Sequence, residues 1–468
     1  MHEKETPHQA DGCAATQLSG WGANLRVTSY LCEPQTPDRV AAFLDPAGTI
    51  ARGLGRSYGD AAINAGGRVI GMTRTDRYLG FDERTGTLEC EAGVTLEQII
   101  RDFAPRGWFP MITPGTKFVT VGGCIASDVH GKAHHVQGSF STCLDSMTVL
   151  LANREIVIAS RDENPDLFFA MVGGMGLLGI VLTAKIRLRK IETTWFSHRS
   201  LPVKNLEEML HVLEEQDRLL PYSVATLDVF AKGARLGRGV VAVGDHARLD
   251  DLPSALRAAP LHVSPPATLR VPFDMPEFSL NRMSIGVVNA AIQWLLKRPR
   301  AFVHYDGFFY PLDGVLYWNR GYGRRGFTQY QFVIPFDNAE RNLRELLTVI
   351  LSAGELPFLN VLKRLGHESG GLLSFPREGY TLAIDFPIRR HTVSLLRRLD
   401  RMVLEAGGRV YLAKDSYLEA DIFRAMYPQA ERWLVSKAKY DPHGIFTSNL
   451  GRRLGLVSQA SASERRSA

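Results

Sequence analysis

The chain has 468 residues, of which 45% are hydrophobic and 22% charged, and its formal net charge is +6. This is the composition of an ordinary globular protein, and the length favours two domains over one. The basic residues form no concentrated stripe with interleaved aromatic residues, which argues against a nucleic-acid-binding protein, and no run approaches the roughly 20 apolar residues of a membrane-spanning helix.

The cysteines and the two ends of the chain bear on its location. The five cysteines are widely spaced and form no C-x-x-C pair, so they predict neither a zinc site nor a disulfide framework. That pattern fits a reducing compartment, and the polar segment 1–17 lacks the apolar core of a secretory signal. We expect a cytoplasmic protein, either free or peripheral at the inner membrane, with a disordered tail at residues 456–468.

The first distinctive segment is a glycine-rich loop at residues 50–60. Gly53, Gly55 and Gly59 follow a short apolar run, and glycine lets backbone N–H groups turn towards a ligand at close range. Successive N–H groups form a concave anion site suited to a pyrophosphate. Tyr58 stands where the nicotinamide fingerprint has its third glycine. The loop therefore predicts either a phosphate cradle of another kind or a tight structural turn.

Strands are predicted at 69–72 and 86–94, and a helix is predicted at 96–103 with Thr95 as its N-cap. They are followed by a second segment rich in small residues, at 114–132. The crowding of small residues predicts that a flat or bulky group packs against bare backbone, with His130 and Lys132 beside it. We expect no metal site among the nearby histidines, because Gly131 argues against a shared helix face and no carboxylate ligand is obvious.

A third segment, residues 173–179, contains a formal G-x-G-x-x-G. The pattern predicts a helix before it, at 164–171, and a strand after it, at 180–188. A Rossmann dinucleotide site requires the opposite order, strand and then helix. We therefore reject the Rossmann fold for this segment.

Glycine becomes sparser beyond Thr193, and longer elements alternate. Helices are predicted at 206–219, 339–353 and 392–405, and strands at 327–334 and 380–386. Gln329 and Gln331 share one face of the first of these strands. A further helix, 284–296, ends in a basic cluster, and it is either a core helix or a membrane-surface helix beside a lipid-substrate site.

Five motifs in order make the chain resemble the vanillyl-alcohol-oxidase-type flavoproteins, and within them the decaprenylphosphoryl-β-D-ribose 2′-oxidases. The motifs are residues 51–60, 121–123, 130–132, 329–335 and 413–416. The resemblance implies an α+β fold, with a PCMH-type FAD-binding domain of two α+β subdomains at 16–193. It also implies a substrate domain at 194–409, built on an antiparallel sheet flanked by helices, and a segment at 410–455 that returns to the FAD domain.

The resemblance implies FAD as cofactor. Many relatives tether FAD through a histidine where this chain has Tyr58, so we expect non-covalent FAD. The cofactor-binding residues that it implies are Arg52, Gly53, Leu54, Gly55, Arg56, Ser57, Tyr58, Gly59, Pro114, Gly115, Thr116, Thr120, Gly122, Gly123, Ser127, His130, Gly131, Gly176, Gly179, Val181 and Lys414.

The implied chemistry is oxidation of a secondary alcohol. Hydride transfer to a flavin leaves negative charge near N1 and O2, which a cation stabilises, and the matching motif assigns that role to Lys414. The hydroxyl must also lose a proton, for which His130 and Tyr58 are alternative bases. Substrate-side positions implied by the resemblance are Lys132, Gln329, Gln331 and Lys363; either lysine could bind a substrate phosphate or make a surface ion pair.

The expected reaction is oxidation of the 2′-hydroxyl of a polyprenylphosphoryl-β-D-ribose to the 2′-keto sugar. This is the first half of an epimerisation to the arabinose form, which an NAD(P)-dependent short-chain reductase would complete. The alternatives are an aldonolactone oxidase of the D-arabinono-1,4-lactone oxidase type and a flavin-binding scaffold without turnover. Retention of Lys414 and His130 argues against the scaffold.

Three positions depart from the resembled pattern. Ala383 replaces a cysteine, Thr381 an asparagine and Leu227 a tryptophan of the pocket wall. Inhibitors that react with that cysteine should not bond covalently here. The altered wall leaves room for another polyprenyl phosphate or another sugar carrier.

Overall fold

The computed structural model describes residues 12–354, 357 and 359–457. Within these residues the strands form three sheets, which follow one another along the chain. The first contains β1 (Ala14–Ser19), β2 (Arg26–Cys32), β3 (Thr49–Arg52) and β4 (Arg68–Gly71) in the order β1-β2-β4-β3. Strands β2 and β3 both run parallel to β4, which places the end of β3 and the glycine-rich loop after it at one edge of the sheet.

The second sheet is antiparallel and is centred on a long strand. It contains β5 (Tyr78–Asp82), β6 (Thr87–Glu91), β7 (Trp108–Pro110), β8 (Leu144–Leu150), β9 (Ile156–Ser160) and β10 (Ile180–Lys190). Its order is β5-β6-β10-β8-β9, and β7 also pairs with β10.

Four helices accompany these two sheets: α1 (Leu96–Phe103), α2 (Val121–Ala126), α3 (His134–Gln137) and α4 (Pro165–Met171). The predicted helix at 96–103 is confirmed with its cap: the Thr95 hydroxyl accepts from Gln98 N, and the Gln98 side chain accepts from Thr95 N. The order α4, glycines, β10 also confirms the argument against a Rossmann site.

The third sheet is antiparallel throughout, in the order β14-β11-β13-β12-β16-β17-β15-β18. In chain order its strands are β11 (Trp195–Val203), β12 (Tyr222–Leu227), β13 (Gly239–His246), β14 (Phe302–His304), β15 (Phe327–Ile334), β16 (Asn360–Leu365), β17 (Gly379–Pro387) and β18 (Arg409–Val410). The helices of this region are α5 (Leu206–Asp217), α6 (Ser254–Arg257), α7 (Arg282–Leu296), α8 (Tyr305–Phe309), α9 (Ala339–Ser352) and α10 (Thr392–Glu405).

The last described residues pack back onto the first sheet. They form α11 (Ala420–Met426), α12 (Ala430–Tyr440) and α13 (Asn449–Arg453). Phe446 makes a β-bridge with Thr49, and the Arg453 guanidinium contacts Asp60 and Asp415, each at 2.8 Å. These contacts bring the ends of the described chain together around one core, in which the α+β class and the antiparallel substrate-side sheet are confirmed.

The predicted domain boundaries and the predicted disordered tail meet different outcomes. The domain boundary at 193/194 falls between β10 and β11, whereas the boundaries at 16 and at 409/410 fall inside β1 and β18; all three stay predictions. The disordered tail is wrong for its first two residues, because Leu456 and Val457 are buried. Its remainder, 458–468, lies outside the described residues.

The expectation that the chain has no disulfide is wrong. Cys13 and Cys32 are joined by a disulfide that closes the hairpin of β1 and β2. Disulfides persist mainly in oxidising compartments, so the cysteines no longer favour the cytoplasm. Among the described residues, no helix is both long enough and apolar enough to cross a membrane.

Candidate active site

A cavity of about 510 Å³ lies between the glycine-rich segments and the third sheet. Its walls come from residues 51–62, 113–132 and 171–181, from inward-facing positions of β11–β13 and β15–β17, and from residues 411–414. Every residue predicted for the site lines this cavity except Gly59. The structure therefore brings together segments that lie more than 300 positions apart in the chain.

The first two glycine-rich segments meet directly at one wall. Gly55 has φ +64°, which favours glycine, and a Cβ added at Gly53 would overlap the Thr120 side chain at the start of α2. Gly115 has no heavy atom within 4 Å of the place where its Cβ would stand, so its backbone faces open cavity. This wall, here called the glycine cradle, is lined by glycine backbone, which is one of the two alternatives that the spacing of the glycines predicted.

Gly59 packs against the C-terminal segment, because a Cβ there would overlap the carbonyl oxygen of Asp415. Its predicted contact with the cofactor stays a prediction. Beside Gly59, Tyr58 N donates to Ala413 O at 2.9 Å. The two contacts with the C-terminal segment fix Lys414, whose Nζ lies 3.8 Å from the centre of the Tyr58 ring.

Asp385 is a site residue to which the sequence analysis gave no role. Its carboxylate is fully buried on β17 and accepts from Gln329 Nε2 at 2.6 Å and from the Tyr322 hydroxyl at 3.1 Å. Burial raises the pKa of Asp385, and Lys414 opposes that rise. Burial lowers the pKa of Lys414, whereas Asp385 raises it. The signal in the sequence was an acid within an apolar strand, since buried carboxylates are rarely without a partner.

The two candidate bases are both neutral in this environment. Burial, followed by repulsion from Lys363, lowers the pKa of His130 well below its usual value. Burial, followed by Asp385, raises the pKa of Tyr58 well above its usual value. Only the imidazole therefore keeps a lone pair for a proton near neutral pH.

Gln331 holds His130 in place. Its amide nitrogen lies 3.0 Å from His130 Nε2 and donates to the Thr381 hydroxyl at 3.1 Å. Because an amide NH₂ only donates, Nε2 accepts and the neutral ring carries its proton on Nδ1, which has no protein partner among the described residues. Thr381, one of the departures from the family pattern, thus takes part in the site.

Lys132 and Lys363, both predicted on the substrate side, line the cavity. Burial lowers the pKa of Lys132 to about 7, with Lys363 as the second cause, and burial lowers the pKa of Lys363 to about 8. Lys132 donates to the Phe308 carbonyl oxygen. Within the described part of the chain, neither lysine has a carboxylate at ion-pair distance, so the predicted alternative of a surface ion pair is not what the structure shows.

The remaining departures fall on different faces of the sheet. Ala383 lines the cavity beside Gln331, its partner in the β15–β17 ladder, and presents a methyl group where a thiol was expected. Leu227, expected in the pocket wall, lines a separate small cavity instead. Its neighbours Val224 and Thr226, on the other face of β12, form the wall.

These residues fit a flavin dinucleotide. The cradle offers bare backbone to a pyrophosphate, and Lys414 supplies a cation that projects into the same cavity from the opposite segment. Tyr58 stands in the cradle with its ring in contact with Lys414, and a tyrosine at this place offers no histidyl nitrogen for a covalent tether.

Comparison with known proteins agrees with this geometry. Residues 28–160 match the FAD binding domain family, and residues 324–454 match the D-arabinono-1,4-lactone oxidase family. The chain is 37% identical to decaprenylphosphoryl-beta-D-ribose oxidase of Mycolicibacterium smegmatis, over 94% of this chain and 98% of that protein. It is also 34% identical to an uncharacterized protein in the mprA 5′ region of Streptomyces coelicolor, over 78% of this chain and all of that protein.

A more distant likeness is confined to one part of the chain. Cytokinin dehydrogenase 2 of Arabidopsis thaliana is 29% identical over 30% of this chain and 27% of that protein. The near full-length match, together with the FAD-binding domain, confirms the cofactor and the reaction class. The chain belongs to the decaprenylphosphoryl-β-D-ribose oxidase family and is an FAD-dependent oxidoreductase.

Proposed function

We propose that the protein oxidises the 2′-hydroxyl of a polyprenylphosphoryl-β-D-ribose to the 2′-keto sugar. The observation that carries the proposal is the pair Lys132 and Lys363, two largely buried ammonium groups that share a cavity without an acid partner at ion-pair distance. Buried charges require a partner. A phosphodiester brings one negative charge to them, whereas a sugar lactone brings none.

The residues around the cavity divide the work of the reaction. FAD, when bound along the glycine cradle, supplies the hydride acceptor. Lys414 stabilises the negative charge that develops there, and Asp385 helps to keep Lys414 protonated. We assign the role of base to His130, because its neutral imidazole can take a proton at Nε2 once the bond from the Gln331 amide is exchanged for one from the substrate hydroxyl, whereas the raised pKa of Tyr58 keeps the phenol as a hydrogen-bond donor.

The proposal extends to partners and place. A polyprenyl carrier holds its sugar at a membrane surface, so the enzyme would act as a peripheral protein at the inner membrane. Its keto product would be reduced by an NAD(P)-dependent short-chain reductase. The FAD itself would be held without a covalent bond by the residues predicted above, of which all but Gly59 line the cavity.

The second candidate is an aldonolactone oxidase, which the match of residues 324–454 favours. Anaerobic addition of substrate to the purified holoenzyme separates the two. We expect a polyprenylphosphoryl ribose to bleach the flavin absorbance and D-arabinono-1,4-lactone to leave it unchanged; bleaching by the lactone alone would reverse the assignment.

The same preparation tests the mode of FAD attachment. After denaturation in acid, FAD should stay in solution while the protein precipitates. Flavin that precipitates with the chain would contradict the argument from Tyr58.

A further inference from the structure

Helix α7 presents an apolar stripe to solvent. Met283, Val287 and Trp294 are 78%, 65% and 58% exposed. Their spacing, i, i+4 and i+11, places all three on one face of a helix. A single exposed apolar side chain is ordinary, whereas a stripe of three large ones on one face marks an interaction surface.

The helix is fixed to the protein by its other face. Ile285 is buried, and Asn289 donates to Asp228 at 2.9 Å. The start of α7 is closed by a capping box at Asn281. Of the two predicted alternatives, a core helix does not describe the outer side of α7, which has no cover within the described structure although the helix is well anchored.

The charge around the stripe has one sign. Residues 278–304 contain no aspartate or glutamate but include Arg282, Lys297, Arg298 and Arg300. None of these four makes an ion pair within the described residues, and the Arg298 guanidinium lies 3.4 Å from the centre of the Trp294 ring. Apolar and aromatic side chains flanked by unpaired basic ones are typical of a helix that lies in the plane of an anionic membrane interface.

The C-terminal end of α7 reaches the mouth of the active-site cavity. Leu295, Leu296, Arg298 and Arg300 line that cavity, which also contains Lys132. His198 lies at the cavity wall between Arg300 and Lys132: its Nδ1 is 3.3 Å from the Arg300 carbonyl oxygen. Burial lowers the pKa of His198, the Arg300 carbonyl raises it, and the Lys132 charge lowers it further. A continuous path therefore joins the exposed stripe to the substrate side of the site.

We propose that the surface formed by Met283, Val287, Trp294 and the four basic residues, here called the α7 surface, docks on an anionic bilayer. At about 22 Å for 15 residues, α7 is too short to span the hydrocarbon core of roughly 30 Å, so it lies along the interface. A second copy of the chain is a poorer occupant, because two-fold pairing would set like charges against each other. Docking on a bilayer does not depend on the proposed function. Entry of a lipid-linked substrate into the cavity from the α7 surface does rest on it.

Flotation of the full-length holoenzyme with vesicles tests docking. We expect binding to vesicles of equal phosphatidylglycerol and phosphatidylcholine, and little binding to phosphatidylcholine alone. The triple variant Met283→Ser, Val287→Ser, Trp294→Ser should bind at least about tenfold more weakly. The pair Arg282→Glu and Lys297→Glu should lose the preference for anionic lipid. The matched control is Leu219→Ser with Val435→Ser, two exposed apolar residues elsewhere on the surface, which should bind like the parent protein.

Each contrary result overturns docking. No vesicle binding by the parent protein, or equal binding by the triple variant and the control, refutes it. A parent protein that is a dimer and a triple variant that is a monomer would assign the surface to a second copy instead. A separate experiment adds a short-chain, water-soluble substrate to the parent protein and follows the flavin absorbance. If this substrate does not bleach the flavin, the proposed function is refuted, while the result of the vesicle experiment still stands.

Discussion

Lys414 experiences two opposed influences at the residue scale. Burial and Lys363 favour its neutral form, while Asp385 favours the ammonium. Its contact with the Tyr58 ring adds a cation–π attraction that also favours the charged form. The two neighbours that favour the ammonium thus come from different parts of the chain, Asp385 from strand β17 and Tyr58 from the glycine-rich loop.

Replacing Lys414 with alanine should leave FAD bound but slow flavin reduction. Removal of one preorganised stabilising group typically lowers the rate about 10²- to 10³-fold, and stopped-flow absorbance under anaerobic conditions measures it. The absorbance spectrum of the oxidised variant should match the parent. Unchanged reduction kinetics would contradict the role of Lys414.

Asp385→Asn should move the alkaline limit of activity to lower pH. A lysine is charged below its pKa, and loss of the neighbouring carboxylate lowers that pKa further, so the ammonium is lost earlier as pH rises. The pH profile of the reduction rate checks this. A reduced rate with an unmoved profile would indicate a merely structural role.

Lys363→Gln should weaken substrate binding more than it slows the chemistry. Loss of a charge-assisted hydrogen bond predicts a KM about 10- to 100-fold higher. In the parent protein KM should rise as pH increases from about 7 to above 8, because first Lys132, with a pKa of about 7, and then Lys363, with a pKa of about 8, lose their charge. The surface variant Lys185→Gln serves as control, and a KM independent of pH would count against a phosphate site.

At the scale of elements, the disulfide decides how firmly the first hairpin holds its place. The Cys13–Cys32 bond closes the pair β1–β2, and β2 continues the sheet through β4 to β3, which leads into the glycine cradle. The hairpin that the disulfide closes is therefore connected through β4 and β3 to the glycine cradle.

Cys13→Ser with Cys32→Ser should lower the free energy of unfolding by about 2–4 kcal/mol, as expected when a loop of this length is opened. Denaturant titration measures the change. Mass spectrometry after alkylation in denaturant should show three modified cysteines without reductant and five with it, since Cys90, Cys124 and Cys143 are free. Five without reductant would contradict the bond.

For the whole molecule, the site depends on how the C-terminal segment closes on the first sheet. Gly59 touches Asp415, Tyr58 bonds to Ala413, and Arg453 contacts both Asp60 and Asp415. Lys414 lies in the middle of these contacts. A small shift of the segment would move the Lys414 side chain, which we propose as the catalytic cation, relative to the glycine cradle.

Gly59→Ala tests this closure. The added methyl would overlap the Asp415 carbonyl, so we expect a loss of stability of about 1–3 kcal/mol together with slower flavin reduction. Gly80→Ala, where a Cβ meets open space, is the matched control. Thermal unfolding and stopped-flow reduction measure the two effects, and a Gly59→Ala variant equal to the control in both would refute the coupling.

The sequence alone determined the features that depend on near neighbours. The cradle glycines, the capped helix α1, the helix-then-strand order around residues 173–179 and the strands β15 and β17 follow from spacing within about ten residues. The site lysines and glutamines followed from their motifs. Each of these turns, caps and strands is specified by the same few neighbouring residues that form it.

Only the tertiary structure decided which distant groups meet. It paired Cys13 with Cys32, placed Asp385 beside Gln329 and near Lys414, turned Leu227 away from the cavity and left the outer side of α7 exposed. Burial, pKa and pairing are properties of the space around a side chain. That space is filled by residues hundreds of positions away, so no local pattern specifies it.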